Sequence, residues 1–393
     1  MRGFERILLT MLAVSSAVLG SLAAPEIATP GKGSLAQQVI DRAARVREGD
    51  RVQIAGPPGE ATLLEDLAVQ ARRRGAHPLI TLVSDALRRR YIEEVPPRFD
   101  SVPPRLDLAL AEACDVFVGV ENSEDALIGL PPARMAAQQK ASERVVDRML
   151  ERNVRTVWLG NGLYPTPRRA RRFGLTEDQL RKVYTAGLAA DPVRLADTGA
   201  RLRKILAAGK QLHLQSDDGT DLTLSIAKQP VLVSDGVLTP EKEKKGGAAC
   251  VTWLPAGEVY LTPVPDSANG TIVGPLVFWE GEVIRRLRLT FRKGKLTGMT
   301  ADSGLDRLSK VYASHGAGKE RLGAVDIGIN PGVQPPPGSL LRSFIAEGTI
   351  TVALGNNTWA GGDVNTPFGL NVHLTQATLR VDDTVLVASG RLR

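Results

Sequence analysis

Cysteine, histidine and aromatic side chains are all scarce in this chain. Two cysteines, Cys114 and Cys250, among 393 residues exclude a disulfide-stapled scaffold and a Cys-rich zinc site. Four histidines (His77, His213, His315, His373) leave little material for an imidazole-rich metal centre. Aromatic residues make up 4%, too few for platforms on which nucleic-acid bases stack. The charge surplus is small too: 50 Lys+Arg against 43 Asp+Glu gives +7, so nucleic acid is not an expected partner. With 43% hydrophobic and 24% charged residues the chain reads as globular, long enough for two domains with separate cores.

Long apolar runs are confined to the start. Arg2 and Arg6 precede ILLTMLAVSSAVLGSLAA (7–24), a charge-free stretch ending in small residues. A positive n-region, an apolar h-region and Ser21-Leu22-Ala23 fit a secretory signal cleaved near Ala23. This predicts export to a periplasmic or extracellular space. An uncleaved single-span anchor over Ile7–Ala24 is the rival, and only then is a membrane a partner. A misplaced start codon is a third reading. Residues 1–34 are accordingly set aside as signal and short linker. Export would permit a Cys114–Cys250 bond, but their places in different halves favour two separate buried thiols.

The rest has two grammars. From 35 to 209 helix and strand patterns alternate. Leu35, Val39, Ala43 and Val46 recur at helical spacing, and Arg51–Ala55 reads as a strand closed by Gly56-Pro57-Pro58-Gly59. Strands are predicted at Pro78–Val83, Asp115–Val120 and Thr156–Gly160, and a long helix from Pro131-Pro132 to about Arg152. Thr176 with Gln179 forms a capping box, and Asp191-Pro192 opens a helix that stops at Gly209. Apolar strands between helices imply a parallel sheet covered on both faces, a Rossmann-like α/β domain. From 210 to 393 short strands and tight turns dominate. Asp217-Asp218-Gly219 joins a hairpin, 278–300 is a meander in which Leu287, Leu289 and Phe291 alternate with arginines, and Leu305–Ser314 is a helix. The predicted fold class is therefore α/β followed by a β-rich α+β domain.

Most local signals of chemistry weaken on inspection. GPPGEA (56–61) follows the first strand but lacks G-x-G-x-x-G, and its prolines remove amides a pyrophosphate would need, so a structural turn is expected. No H-E-x-x-H, G-x-S-x-G or P-loop occurs. The arginine runs 72–74, 88–90 and 168–172 are expected to be solvated surface. His77, His213 and His315 are expected in structural or exposed roles.

Six ordered segments carry more: GTDLTLSI (219–226), SDG (234–236), PAGEVYLTPVPDSANGTI (255–272), RLGAVDIGINPG (321–332), GTITVALG (348–355) and NVHLT (371–375). With LAQQVIDRAARVREGDRVQIAG, RGAHPLI and LIGLPPARMAAQQKA upstream, the chain from Leu35 to Leu392 resembles the aminopeptidase T family, peptidase family M29. The resemblance implies a Rossmann-like domain, a β-rich domain and dimerisation through the latter. It also implies two divalent cations, commonly zinc or cobalt, and removal of N-terminal residues from peptides.

The family's ligands transfer unevenly. Its G-E-[IV] glutamate is kept as Glu258, but the L-G-E glutamate falls on Ala324 and the G-T-I-H histidine on Thr351. The helper tyrosine falls on Thr358. The His-x-Asp pair is kept as His373 but ends on Thr375. A ring-opening non-heme iron branch of the family depends on the same pair and is disfavoured by the same change. A two-cation centre needs several anionic or imidazole donors, and Ala and Thr supply none at neutral pH. Asp326, two residues from Ala324, would face the same side on a strand. Glu258, His373 and Asp326 are thus the candidate metal ligands, sufficient for one weakly held zinc or cobalt; an empty pocket is the other outcome. Three readings follow. The residues favour a peptide- or partner-binding pseudo-enzyme of weak or no activity. The lineage favours an active aminopeptidase with a rebuilt site, and a non-peptidase enzyme using the altered pocket is the third.

Overall fold

A computed structural model describes residues 34–121, 130–279, 282–366 and 368–393, and residues 35–393 form one compact unit. The signal or anchor reading of Ile7–Ala24 lies outside the described residues. No described helix is long and apolar enough to cross a membrane.

The first sheet is built from β1 (Arg51–Gly56), β2 (His77–Leu82), β3 (Val116–Val120) and β4 (Arg155–Leu159), all parallel. Val52, Ile54, Val116, Val118, Val157 and Leu159 are buried on one face of it; the other face, with Phe117, Trp158 and an exposed Trp253, is less covered than the sequence pattern implied, and Leu79 and Leu82 of the edge strand β2 are exposed. The helix Ala61–Arg73 directs Leu64, Leu67 and Ala71 onto this core and is closed by Gly75 at φ 79°. The Thr176/Gln179 capping box forms as expected at the start of Glu177–Leu188. Asp191 caps Pro192–Ala208. The first turn differs: Leu35–Gln37 widens into a π-helix over Gln38–Ala43.

Beyond residue 209 come β5 (Gln211–Gln215), β6 (Asp221–Ser225), β7 (Val231–Ser234), β8 (Val251–Leu254), β9 (Glu258–Leu261), β10 (Asn269–Trp279), β11 (Glu282–Arg292) and β12 (Lys295–Thr300). After the helix Asp306–Ser314 follow β13 (Leu322–Gly328), β14 (Ile350–Gly355), β15 (Gly369–Leu374), β16 (Thr378–Val381), β17 (Thr384–Ala388) and β18 (Arg391–Leu392).

One strand crosses the expected boundary at 209/210. β8 pairs parallel with β4 and completes the first sheet in the order β2-β1-β3-β4-β8, one of the two common doubly wound arrangements. Trp253 of β8 stacks on Trp158 of β4 with ring centres 6.0 Å apart.

The remaining strands make two antiparallel sheets, ordered β12-β11-β10-β6-β5-β16-β17-β18 and β15-β14-β13-β9-β7. Their facing surfaces share one core. Leu212, Leu214, Leu222, Leu224, Leu287, Leu289 and Phe291 from the larger sheet belong to the same buried cluster as Val259, Leu261, Val325, Ile327 and Val352 from the smaller. Val325 and Ile327 alternate with Asp326, so burying them turns Asp326 to the opposite face. The alternation in β11 survives an irregularity: Arg285 and Arg286 are both exposed, and Arg286 takes φ 50° before Leu287 turns back in.

The Gly-Ile-Asn-Pro-Gly turn after β13 ties the halves together. Asn330 is fully buried, and its Nδ2 donates to the carbonyls of Gly187 and Ala256. Cys114 and Cys250 are separate buried thiols, both pushed up by burial.

Candidate functional site

The smaller antiparallel sheet turns a polar row away from the shared core. Register sets Tyr260 of β9 beside Asp326 of β13, Asp326 beside Thr351 of β14, and Thr351 beside His373 of β15. Glu258 stands two residues before Tyr260 and so shares its face. Ser234 lies beside Glu258 on β7. Strands are spaced about 4.8 Å apart, which puts His373 roughly 10 Å from Asp326 across the backbone. The structure thus gathers Glu258, Asp326 and His373 on one face, with Thr351 between the last two.

Gly328 lies opposite Glu258, where the chain over 344–346 crosses the sheet. A Cβ at Gly328 would meet the Ala346 carbonyl oxygen at 2.1 Å and that of Phe344 at 2.5 Å, so only glycine permits this approach. Phe344 from the same segment lies flat against the His373 ring, centres 6.5 Å apart. At the other end Ala360 packs on Ala324 and Ala353, and Trp359 leans on Tyr260 at 5.4 Å. The row is therefore covered from both ends.

That cover sets the electrostatics. Glu258 and Asp326 are 7% and 4% exposed and lie next to each other. Burial pushes Glu258 up to about 7, partly offset by the neighbouring Asp326 and Ser234. Burial, then the neighbouring Glu258 charge, drives Asp326 well above the usual carboxylate range. Two buried like charges cannot both ionise cheaply, so the pair holds a proton between them at neutral pH. Asp326 Oδ1 has no hydrogen-bond partner. Burial pulls His373 down to about 4, aided by the Arg342 guanidinium, so its ring is neutral. His373 Nδ1 and Thr351 Oγ1 are hydrogen-bonded at 2.9 Å.

The donor set can be tested for cations. Among the described residues no group of three or more His, Cys, Asp or Glu side chains is placed to hold a metal ion. Glu258 and Asp326 come together, but His373 does not complete a third ligand with them. Arg342 adds positive charge at the His373 end. These residues do not fit a two-cation centre, which needs more donors than two carboxyls and one imidazole set apart from them offer. Thr358 sits exposed in the loop after β14, with its hydroxyl on Asn356, and Thr375 lies exposed just past β15.

Several neighbours were not picked out from sequence. Tyr260 faces the carboxyl pair, and burial raises its hydroxyl above the usual range; its spacing of two from Glu258 was the available signal. Ser234 lies in the SDG segment singled out above but was given no role there, and Arg342 and Phe344 come from a distant segment with no spacing to reveal them. Arg169 corrects the expectation that run 168–172 is solvated surface. It is buried, donates to the Tyr164 carbonyl and pairs with Glu121 at 2.9 Å. Glu121 also accepts from the Gly162 amide. A carboxylate thus stands past β3, beside the strand that GPPGEA closes, and it opposes phosphate there as the prolines do.

Comparison with known proteins decides the lineage. Residues 33–334 match the model of the thermophilic metalloprotease (M29) family. The chain belongs to the M29 family. Aminopeptidase T of Thermus aquaticus is 27% identical over 321 residues, covering 76% of this chain and 77% of that protein. Aminopeptidase PepS of Streptococcus thermophilus is 26% identical, covering 73% and 74%. Wild-type AmpT from Thermus thermophilus superposes with a TM-score of 0.71 at 21% identity, over 91% of this chain and 97% of that one. The 2,5-dihydroxypyridine dioxygenase of Pseudomonas putida KT2440 gives 0.56 at 17%, over 89% and 93%. The mixed architecture expected from the sequence, a parallel sheet plus a β-rich antiparallel region, is thus the M29 fold. The match to the M29 model ends before β14 and β15, which carry Thr351 and His373.

Proposed function

We propose that this chain is an M29 pseudo-enzyme, which binds peptides or a peptide-bearing partner without hydrolysing them. The observation that carries this reading is the donor geometry: Glu258 and Asp326 are buried together, His373 is set apart behind Thr351, and no third His, Cys, Asp or Glu joins the pair among the described residues. Hydrolysis by a metalloprotease needs cations that polarise the carbonyl and activate water. The M29 family is metal-dependent, and its aminopeptidase relatives make release of N-terminal residues the activity this chain has if a cation centre assembles.

Purified protein separates these outcomes. After dialysis, elemental analysis is expected to find less than one equivalent of zinc, cobalt or manganese, and an unblocked aminoacyl reporter is expected to stay intact when each metal is added back. Tight retention of two equivalents, or turnover that a chelator abolishes, defeats the pseudo-enzyme reading and restores the aminopeptidase. Export through residues 7–24 belongs to the same proposal. N-terminal sequencing of secreted material is expected to begin near residue 24, and an intact Met1 in cytoplasmic protein refutes it.

A further inference from the structure

We propose that a strip of the larger antiparallel sheet binds a linear acidic polysaccharide, one that carries carboxylate or sulfate groups along its chain. The strip lies on the outer face of β11 and β12. The carboxyl row lies on the outer face of the other sheet, so the two sit on opposite sides of the shared core. The chain's positive surplus is concentrated here. Residues 283–301 hold six basic side chains, Arg285, Arg286, Arg288, Arg292, Lys293 and Lys295, and no acidic one. None of the six has an ion pair or a side-chain hydrogen bond among the described residues. Their charges are therefore uncompensated within the fold.

Strand geometry lines the cations up. Burying Leu287, Leu289 and Phe291 turns Arg288, Thr290 and Arg292 outward. Register sets Lys295 of β12 beside Arg292, and Thr300 beside Arg288. Arg285 and Arg286, both exposed, prolong the line past the irregularity, and Lys293 stands in the turn at its other end. The line runs for about 20 Å along one strand. It is also narrow. β12 is the edge of the sheet, and on the other side Thr290 is followed across the strands by Thr271 and then Asp221, which His213 holds at 2.7 Å. Strands about 4.8 Å apart put that carboxylate roughly 10 Å from Thr290. A planar anionic membrane would press on Asp221 as well as on the arginines, whereas a single polymer chain lying along β11 meets only the cations. Nucleic acid is the other linear polyanion, but among the described residues no large apolar or aromatic side chain is exposed on this strip for bases to stack on. Arginine forks suit the paired oxygens of carboxylate and sulfate. The hydroxyls of Thr271, Thr290 and Thr300, on the same face, give and accept the hydrogen bonds that sugar hydroxyls use.

Isothermal titration calorimetry of the full chain at low ionic strength tests it. The probes are a heparin oligosaccharide, an oligogalacturonate, a neutral dextran oligosaccharide, an oligothymidylate and phosphatidylglycerol vesicles. The two acidic oligosaccharides are expected to bind saturably and to be released as salt is raised, and dextran is expected not to bind. Binding of one acidic oligosaccharide without the other assigns the strip to sulfate or to carboxylate. Arg288→Gln/Arg292→Gln/Lys295→Gln is expected to weaken binding by about tenfold or more at an unchanged melting temperature. Arg201→Gln/Arg203→Gln/Lys204→Gln removes the same charge from the exposed side of the helix Pro192–Ala208 and is expected to change binding by less than about twofold. The inference is overturned if neither acidic oligosaccharide binds at millimolar concentration, if dextran binds equally, or if the two triple variants weaken binding alike. It is overturned too if the oligothymidylate or the vesicles bind more tightly than the acidic oligosaccharides. The metal and reporter assays do not depend on this strip, so the pseudo-enzyme reading stands or falls separately.

Discussion

Glu258 and Asp326 lie buried side by side on one face of β9 and β13, and Asp326 Oδ1 has no hydrogen-bond partner. A buried acceptor without a donor is costly. A second carboxylate beside it is costlier still once both lose their protons. Burial and like charge therefore both favour keeping a proton on the pair.

A pH dependence follows directly. Glu258 titrates near 7 in the folded chain, against an ordinary value of 4.5. The folded state therefore keeps a proton that the unfolded state gives up, and stability falls as pH rises through that window. The loss accrues between pH 4.5 and 7 and levels off above, so in a His373→Gln background, where nothing offsets it, melting temperature is expected to drop across that window. Adding Glu258→Gln removes the titrating carboxyl, so the drop should be largely abolished in that variant. Equal losses in both proteins over that window would contradict the shared proton.

His373 acts with the opposite sign. Its folded value is about 4 against 6.5, so the unfolded state binds the extra proton. The stability it contributes is complete above pH 6.5 and is lost as pH falls through 4. Between 4.5 and 6.5 the two slopes oppose each other, and maximum stability is expected there. His373→Gln is expected to flatten the acid limb of a thermal melt series and leave the alkaline limb intact. A variant that shifts both limbs equally would mean that His373 matters only for packing.

Much of this fold was legible because its signals are local. The Thr176/Gln179 box, the Asp191 cap, the Asp217–Gly219 hairpin and the alternation of Leu287, Leu289 and Phe291 each depend on a few adjacent residues. The placement of β8 was not legible, because Val251–Leu254 is a short apolar run that fits any sheet and its partner β4 lies about a hundred residues earlier in sequence. The site divides the same way. Motif order located Glu258, Asp326 and His373, and strand alternation gave the shared face. That Thr351 would stand between Asp326 and His373 depends on the β13–β14–β15 register, which no single segment encodes. Arg342 and Phe344 reach His373 from an irregular segment without periodicity.

Asn330 tests how the halves are joined. Its amide serves two carbonyls, Gly187 at 3.0 Å and Ala256 at 2.5 Å, from within a fully buried position. Asn330→Ala strands both acceptors and deletes the Oδ1 that accepts from the Gly332 amide. A loss of roughly 2–4 kcal/mol is expected, from unsatisfied buried groups plus a small void. Urea unfolding measures it. A change below about 0.5 kcal/mol would show that water replaces the side chain and that the turn does not hold the halves.

Rebuilding the family's donors tests what covers the row. Ala324 is buried beneath Ala360, and Trp359 of the same turn rests on Tyr260. A glutamate at 324 has no room while that turn is seated, and an unpaired buried carboxylate would add to the charge of Glu258 and Asp326. Ala324→Glu alone is expected to destabilise the chain by roughly 2–4 kcal/mol and to lift the turn, which Gly361 and Gly362 can follow. Adding Thr351→His and Thr375→Asp supplies donors for a cation that neutralises the cluster. Zinc should then raise the melting temperature of the triple variant and leave the parent unaffected. Trp359 fluorescence reports the turn directly, since its ring leaves Tyr260 when the turn lifts. If the triple variant gains no zinc-dependent stability while its Trp359 signal shows the turn displaced, the lost donors are not what separates this chain from a metal-binding M29 protein.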